Sequence, residues 1–283
     1  MTSLDPTPAL TAQRFLAINQ RNVDTELRRI ATGLFINSGA DDPAGLIAAE
    51  NLSKEIRQAE AEARAAERND AIANIAEGAL AEVSNLLVEA EGLAVSSANT
   101  GGLSDAEIAA NQQQFDSIVG SIDRIFSSAR FNGQRLFSGN FDIPAATSDG
   151  TGMTLPELSI GDFGSTQISD GSGGTVTRRL IDVSTSAVEL GSPDAQSIID
   201  TASSTINSLR GEIGSFQANT LNTISNSTLV RLENQTAARS IIQDTDYAAS
   251  MVNLTTYDIT GRATMAALGS INERLGQVVS LVG

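Results

Sequence analysis

The side chains that carry most enzymatic chemistry are missing from this sequence: of its 283 residues none is Cys and none is His. That removes a thiol nucleophile, a Ser-His-Asp triad, disulfides and the usual zinc sites together. Carboxylates remain. Asp41 and Asp42 are adjacent, and Asp244 and Asp246 lie two positions apart. A calcium cage needs about six to eight oxygen ligands, which neither pair assembles. Both pairs therefore read as turn or helix-cap residues. No catalytic, cofactor-binding or metal-binding residue is expected, and no cofactor.

The net charge is −16, with nine Phe, two Tyr and no Trp. Such a surface offers neither the basic patches nor the stacking platforms that nucleic acid requires, and it repels anionic membranes. The expected partners are proteins. Nothing near Met1 has the basic and apolar regions of a signal peptide, and no run of about 18 apolar residues stands out as a membrane span. Export, if it occurs, is expected to use another route.

With no reactive cluster to position, the elements themselves become the working parts. From Asp41 to Asn99 the chain has no Gly between Gly45 and Gly78 and no Pro after Pro43, and it is crowded with Ala, Glu, Leu and Arg. Propensity favours one very long helix, opened by Asp42 as cap with Pro43 in the first turn. Apolar residues at Leu52, Ile56, Ala59, Ala63 and Ala66, then Ile72, Ile75, Ala79, Val83, Leu86, Ala90 and Leu93, follow coiled-coil spacing with one stutter near Asn69. Such a helix is roughly 80 Å long at 1.5 Å per residue, which predicts a rod.

Other helices must line that rod. One is expected from about Pro8 to Thr32, capped by Thr7, with Leu10, Leu16, Val23, Leu27 and Ile30 on its apolar face and a loop from Gly33 to Gly39. Ser104 and Glu107 form a capping box for a helix returning antiparallel, with Ile108, Phe115, Ile118, Ile122 and Ile125. Ser192-Pro193-Asp194 opens another, with Ile198, Ala202, Ile206, Leu209, Ile213 and Phe216, continuing through Thr220, Ile224, Leu229 and Leu232. A last helix carries Met251, Leu254, Leu268, Ile271, Leu275, Val278 and Val282. Between Arg130 and Pro193, Gly, Ser, Thr and Asp dominate, and short runs at Gln134–Phe137, Leu158–Ile160 and Thr175–Val183 predict a small β-hairpin region with loops.

The expected fold is mainly α, an elongated rod of long antiparallel coiled-coil helices from both chain ends. It divides into a terminal section (1–38 with 241–283), a helical rod section (39–130 with 193–240) and a hairpin and loop region (131–192). Apolar seams that run to both ends of one thin monomer predict self-assembly.

These residues resemble the bacterial flagellins. Arg29-Ile-Ala-Thr-Gly-Leu-Phe-Ile-Asn-Ser-Gly-Ala-Asp-Asp-Pro-Ala-Gly-Leu is similar to the family's R(L/I)(S/A)(S/T)GxxIN segment running into (K/A)DD(A/P)AG. The likeness continues through Asn69–Ile72, Glu77–Leu80, Leu93–Asn99, Arg130–Phe137, Leu209–Gly214 and Ile242–Ala248. It implies a subunit exported unfolded by the flagellar type III apparatus and polymerised into the extracellular filament of the bacterial flagellum. There the terminal helices form an inner coiled coil and the long helices an outer tube. By resemblance the partners are other copies of the subunit, flagellar junction and cap proteins, and an export chaperone. Leu10, Leu16, Val23, Leu27 and Ile30, with Met251, Leu254, Leu268, Ile271, Leu275 and Val278, are then expected subunit contacts of the terminal coiled coil.

Two departures from the family pattern carry expectations. The first residues keep only Leu10-Thr11-Ala12-Gln13 of the usual INTNxxSLxAQ. Ala90, Glu91, Gly92 and Leu93 stand where many flagellins have VREL, the patch sensed by the vertebrate flagellin-detecting Toll-like receptor, and Glu91 reverses the arginine's charge. The resemblance thus implies a poor agonist. Rival readings are a flagellin-like hook–filament junction protein, and a secreted monomeric adhesin or receptor ligand, disfavoured because the middle region lacks aromatic anchors. Without His, the HExxH motif of metalloprotease-bearing flagellins is absent.

Overall fold

The computed structural model describes residues 7–99, 101–145, 152–169 and 174–282, and in the last helix the side chains of residues 275 and 278–282 fall outside that description. Gly171–Gly174, whose composition predicts a turn before the Thr175–Val183 run, lies outside the described residues except for Gly174. Long helices from both ends of the chain frame short strands in the middle, so the protein is mainly α. In order these are α1 (Thr7–Thr32), α2 (Pro43–Ser97), α3 (Asp105–Ser128), β1 (Arg130–Phe131), β2 (Gln134–Arg135), β3 (Ser138–Pro144), β4 (Gly152–Glu157), β5 (Thr166–Ser169), β6 (Thr175–Arg178), α4 (Leu180–Ser184), α5 (Pro193–Ser215), α6 (Asn222–Gln243) and α7 (Tyr247–Val282). Contacts group the described residues into two compact units. One takes those up to Gln58 with those from Arg231 onward, and the other spans Ala59–Val230.

Helix starts follow local chemistry. Asp42 Oδ1 accepts the amides of Ala44 and Gly45, both at 3.0 Å, and opens α2. Ser104 and Glu107 form the reciprocal capping box of α3, and the bonds Glu107 accepts from Ser104 hold its carboxyl below the ordinary range. Ser192 accepts the Ala195 amide at the start of α5, and Asp246 Oδ1 accepts those of Ala248 and Ala249 at the start of α7. Thr7 is already helical, one position inside its expected capping place.

The seam of α2 within the Ala59–Val230 unit runs through Ala66, Asn69, Ala73, Ala76, Leu80, Val83, Leu87, Ala90 and Ala94. Of the expected residues, Ile56, Ala59, Ala66, Ile72, Val83 and Ala90 are buried, whereas Ile75, Ala79, Leu86 and Leu93 each lie one position before a buried residue. Ile75 is 41% exposed, and Ala79, Leu86 and Leu93 are half-buried beside the seam. At two of these steps the smaller neighbour is the buried one, Ala76 in place of Ile75 and Ala94 in place of Leu93. Asn69 is the polar member of the seam, and its Nδ2 donates to the Pro144 carbonyl. An 18-residue window of α2 reaches mean hydropathy 1.3, apolar enough by composition to cross a membrane, against the expectation that no such run exists. A third of that window is buried within the fold.

α3 and α5 both run antiparallel to α2. Asn111 bonds Ser97 and Gln114 bonds Glu89, while Arg210 Nη2 lies 2.8 Å from Glu77 and Gln217 Nε2 donates to Asp70 at 2.9 Å. Between α5 and α6, Phe216–Leu221 forms one wide π-helical turn. Its extra residue turns the seam after Ile213, so Leu221 and Thr228 are buried and Leu229, expected on the seam, is 52% exposed.

The middle region shares the helical core. Phe141, Ile143, Leu155, Leu158, Phe163, Leu180 and Val183 are buried in the same cluster as Phe115, Ile122 and Ile206. Phe126 of α3 meets Phe137 and Phe163 edge-on, with ring centres 5.9 and 5.2 Å apart. Among the described residues the expected hairpin and loop region holds three antiparallel pairs, β1–β2, β3–β4 and β5–β6. Leu158–Ile160 follows β4 as irregular chain that enters a turn at Ile160. The Thr175–Val183 run is strand only to Arg178, because Asp182 accepts the Arg179 amide at 2.9 Å and starts α4.

Candidate assembly surface

Much of the exposed apolar surface lies on the terminal helices α1 and α7. α1 and α7 pair antiparallel, with Asn19 opposite Tyr257–Gly261 and Gly33 opposite Thr245. The less exposed positions of α1 recur as Ala9, Ala12, Leu16, Asn19, Val23, Glu26 and Ile30, and those of α7 as Ser250, Leu254, Tyr257, Gly261, Thr264, Leu268 and Ile271. Both alternate three and four, the spacing that keeps one helical stripe on a partner.

The seam is partly polar. Asn19 Nδ2 donates to the Tyr257 carbonyl at 2.6 Å, and Thr260 Oγ lies 3.0 Å from Asn19 Oδ1. Gly261 makes this approach possible, since a Cβ there would stand 2.6 Å from Asn19 Nδ2. Gly261→Leu is expected to loosen the α1–α7 pair by about 1–3 kcal/mol through overpacking, read as at least tenfold faster amide exchange along α1. Unchanged exchange would count against this packing. Sequence reasoning passed over this pair, although a glycine inside a long helix is itself a signal of close approach.

Where α1 meets the following loop, Arg29 is drawn inward. Its guanidinium bonds Glu26 Oε1 at 3.0 Å, donates from Nε to the Phe35 carbonyl, and stacks 4.1 Å from the centre of the Phe35 ring. Gly33, at φ +76°, reverses the chain. Its carbonyl accepts the Thr245 amide at 2.9 Å, and Phe35 N donates to the Gln243 carbonyl at 2.7 Å. Asp41 Oδ2 gathers the amides of Asn37 and Ser38 and the Ser38 hydroxyl. The Ser38 hydroxyl, helped by those amides, holds its carboxyl below the ordinary value. Asp41, Asp42 and Asp246 thus serve as acceptors for backbone amides.

The sequence-singled residues divide by position. Leu16, Val23, Ile30, Leu254, Leu268 and Ile271 are half-buried on the α1–α7 seam. Leu10, Leu27 and Met251 lie off it, 59%, 48% and 52% exposed. The side chains of Leu275 and Val278 fall outside the described residues. Phe15, Ile18, Val252, Ile259 and Met265, not singled out from sequence, are also exposed. On α7, Met251 and Met265 are two heptads apart, and Val252 and Ile259 one, so they form a second apolar stripe beside the filled seam. An open groove of about 660 Å³ at the far end of the pair is lined by Pro8, Ala12, Phe15, Ala263 and Ala267.

The receptor-patch equivalents also separate. Ala90 is buried in the α2 seam and Leu93 is half-buried, whereas Glu91 and Gly92 are exposed.

Known proteins supply the family. The model of the bacterial flagellin N-terminal helical region matches residues 6–142, and that of the bacterial flagellin C-terminal helical region matches residues 196–282. The chain is 30% identical to the flagellar filament 31.3 kDa core protein of Treponema maltophilum, 27% to a flagellin of Bacillus subtilis (strain 168) and 28% to flagellin FlaB2 of Treponema pallidum (strain Nichols). Each of these alignments covers 97% of both chains. With both helical regions matched and relatives aligned along nearly the whole length, this chain belongs to the bacterial flagellins.

Proposed function

We propose that this flagellin is a repeating structural subunit of a flagellar filament, acting by assembly and not by chemistry. Relatives bear names of flagellar filament core proteins, and flagellins are structural proteins. The observation that carries the reading is the apolar surface left on the terminal pair: Leu10 and Phe15 on α1 and the stripe of Met251, Val252, Ile259 and Met265 on α7 remain exposed after α1 and α7 have filled their mutual seam. Isolated, such a stripe costs solubility; buried against neighbouring copies it contributes roughly 25 cal/mol per Å² of apolar area removed from water.

In this reading residues 1–38 with 241–283 form an inner section, 39–130 with 193–240 an outer one, and 131–192 the projecting middle. Type III export of the unfolded chain, location in the extracellular filament, and contacts with junction proteins, cap proteins and an export chaperone complete it. Electron microscopy of the purified protein, seeded at rising concentration, tests the proposal. Long uniform filaments support it; short rings support a junction protein, and persistent monomers a soluble ligand.

With Glu91 exposed in place of an arginine, weak activation of the flagellin-detecting Toll-like receptor is expected. A cell reporter responding equally to this protein and to a VREL-bearing flagellin would remove that expectation.

A further inference from the structure

The Ala59–Val230 unit carries most of the acid of the chain, 22 Asp or Glu against 8 Arg and no Lys. Within it one small element is basic. β1 and β2 form a two-residue hairpin through Asn132 and Gly133, whose φ values of 50° and 83° give the mirror-image turn that suits strand twist. Its register places Arg130 directly opposite Arg135.

The flanking pairs fix the geometry. Leu136 N donates to the Ala129 carbonyl at 3.0 Å, which leaves Arg130 and Arg135 in the non-hydrogen-bonded position, where side chains on one face approach most closely. Phe131 packs toward the core, so by strand alternation the two arginines occupy the outward face, and both are exposed.

Two like charges at such a position oppose folding. Arg130 Nε donates to the Ser127 carbonyl, and among the described residues no carboxylate reaches ion-pair distance of Arg130, Arg135 or Arg124, six residues earlier on α3. Asp123 is adjacent in sequence and Glu157 faces Ser138 in the next strand pair, yet neither is ion-paired with them.

We infer that the Arg130–Arg135 face of the β1–β2 hairpin is a docking surface for the acidic helical surface of a second copy of this chain. The inference rests on the filament reading and adds a specific electrostatic contact to it. Charge complementarity selects the occupant: the surface of each copy is rich in the carboxylates that this face lacks, and association brings together what the monomer keeps apart.

The test is the critical concentration for seeded polymerisation at low salt. Arg130→Ala/Arg135→Ala is compared with wild type and with Arg64→Ala/Arg68→Ala, which removes the same charge from α2. The hairpin variant is expected to need about tenfold more protein, and the control near wild-type amounts. In 0.5 M salt the gap between variant and wild type is expected to close. Monomer melting temperature should hold or rise, because a repulsion has been removed.

Equal critical concentrations for wild type and hairpin variant would overturn the inference, as would an equal loss in the control. A lower monomer melting temperature would also overturn it, since it would mean the pair is satisfied within its own chain. Wild-type protein that forms no polymer would instead count against the filament reading itself, so the two failures are distinguishable.

Discussion

Leu268→Glu is expected to abolish filament formation while leaving the Ala59–Val230 unit folded. Leu268 is half-buried on the α7 seam, one heptad after Gly261, where the helix already lies close to α1. A carboxylate placed there must be desolvated without a partner, at a cost of several kcal/mol. The residue lies outside the core cluster of the Ala59–Val230 unit, so urea unfolding of that unit should be unchanged. Filaments of normal length from the variant would contradict the role given to the terminal pair.

The opposite outcome is expected for Phe115→Ala. Phe115 is fully buried in the cluster that joins α2, α3, α5 and the middle strands. Truncating it removes a large apolar side chain and leaves a cavity, a loss of about 3–5 kcal/mol. That is a large share of the stability of an ordinary domain. Chemical denaturation should show a midpoint shift for the Ala59–Val230 unit with little change in slope. A shift below 1 kcal/mol would mean that this cluster is not the core.

What was legible in the sequence was what short stretches decide. Asp42, Ser104 with Glu107, Ser192 and Asp246 open their helices because each satisfies free amides within three residues. Six of the terminal residues singled out, Leu16 among them, fall on the α1–α7 seam because spacing alone sets a helical face. Leu10, Leu27 and Met251 were grouped with them by apolarity, though they sit one position off.

Register deeper in the fold was harder. Ile75 looked like a better core residue than Ala76, yet Ala76 is fully buried, because the neighbouring elements come too close for a larger side chain. The π-helical turn at Phe216–Leu221 has no Pro or Gly to announce it, and its one extra residue displaced the reading of Leu229. The β1–β2 hairpin did carry a signal, Asn132-Gly133 between two short runs, which was noticed for family likeness and not for its turn chemistry. The approach of Asn19 to Gly261 joins residues 242 positions apart, beyond the reach of any local pattern.

The central claim is that the terminal helices carry apolar surface reserved for neighbouring copies. Amide hydrogen exchange measured on the monomer and on the assembled polymer tests it most directly. The account predicts rapid exchange along α1 and α7 in the monomer and protection at least a hundredfold stronger after assembly, with the amides of α2, α3 and α5 in the Ala59–Val230 unit protected in both states. Equal protection of α1 and α7 before and after assembly would contradict it.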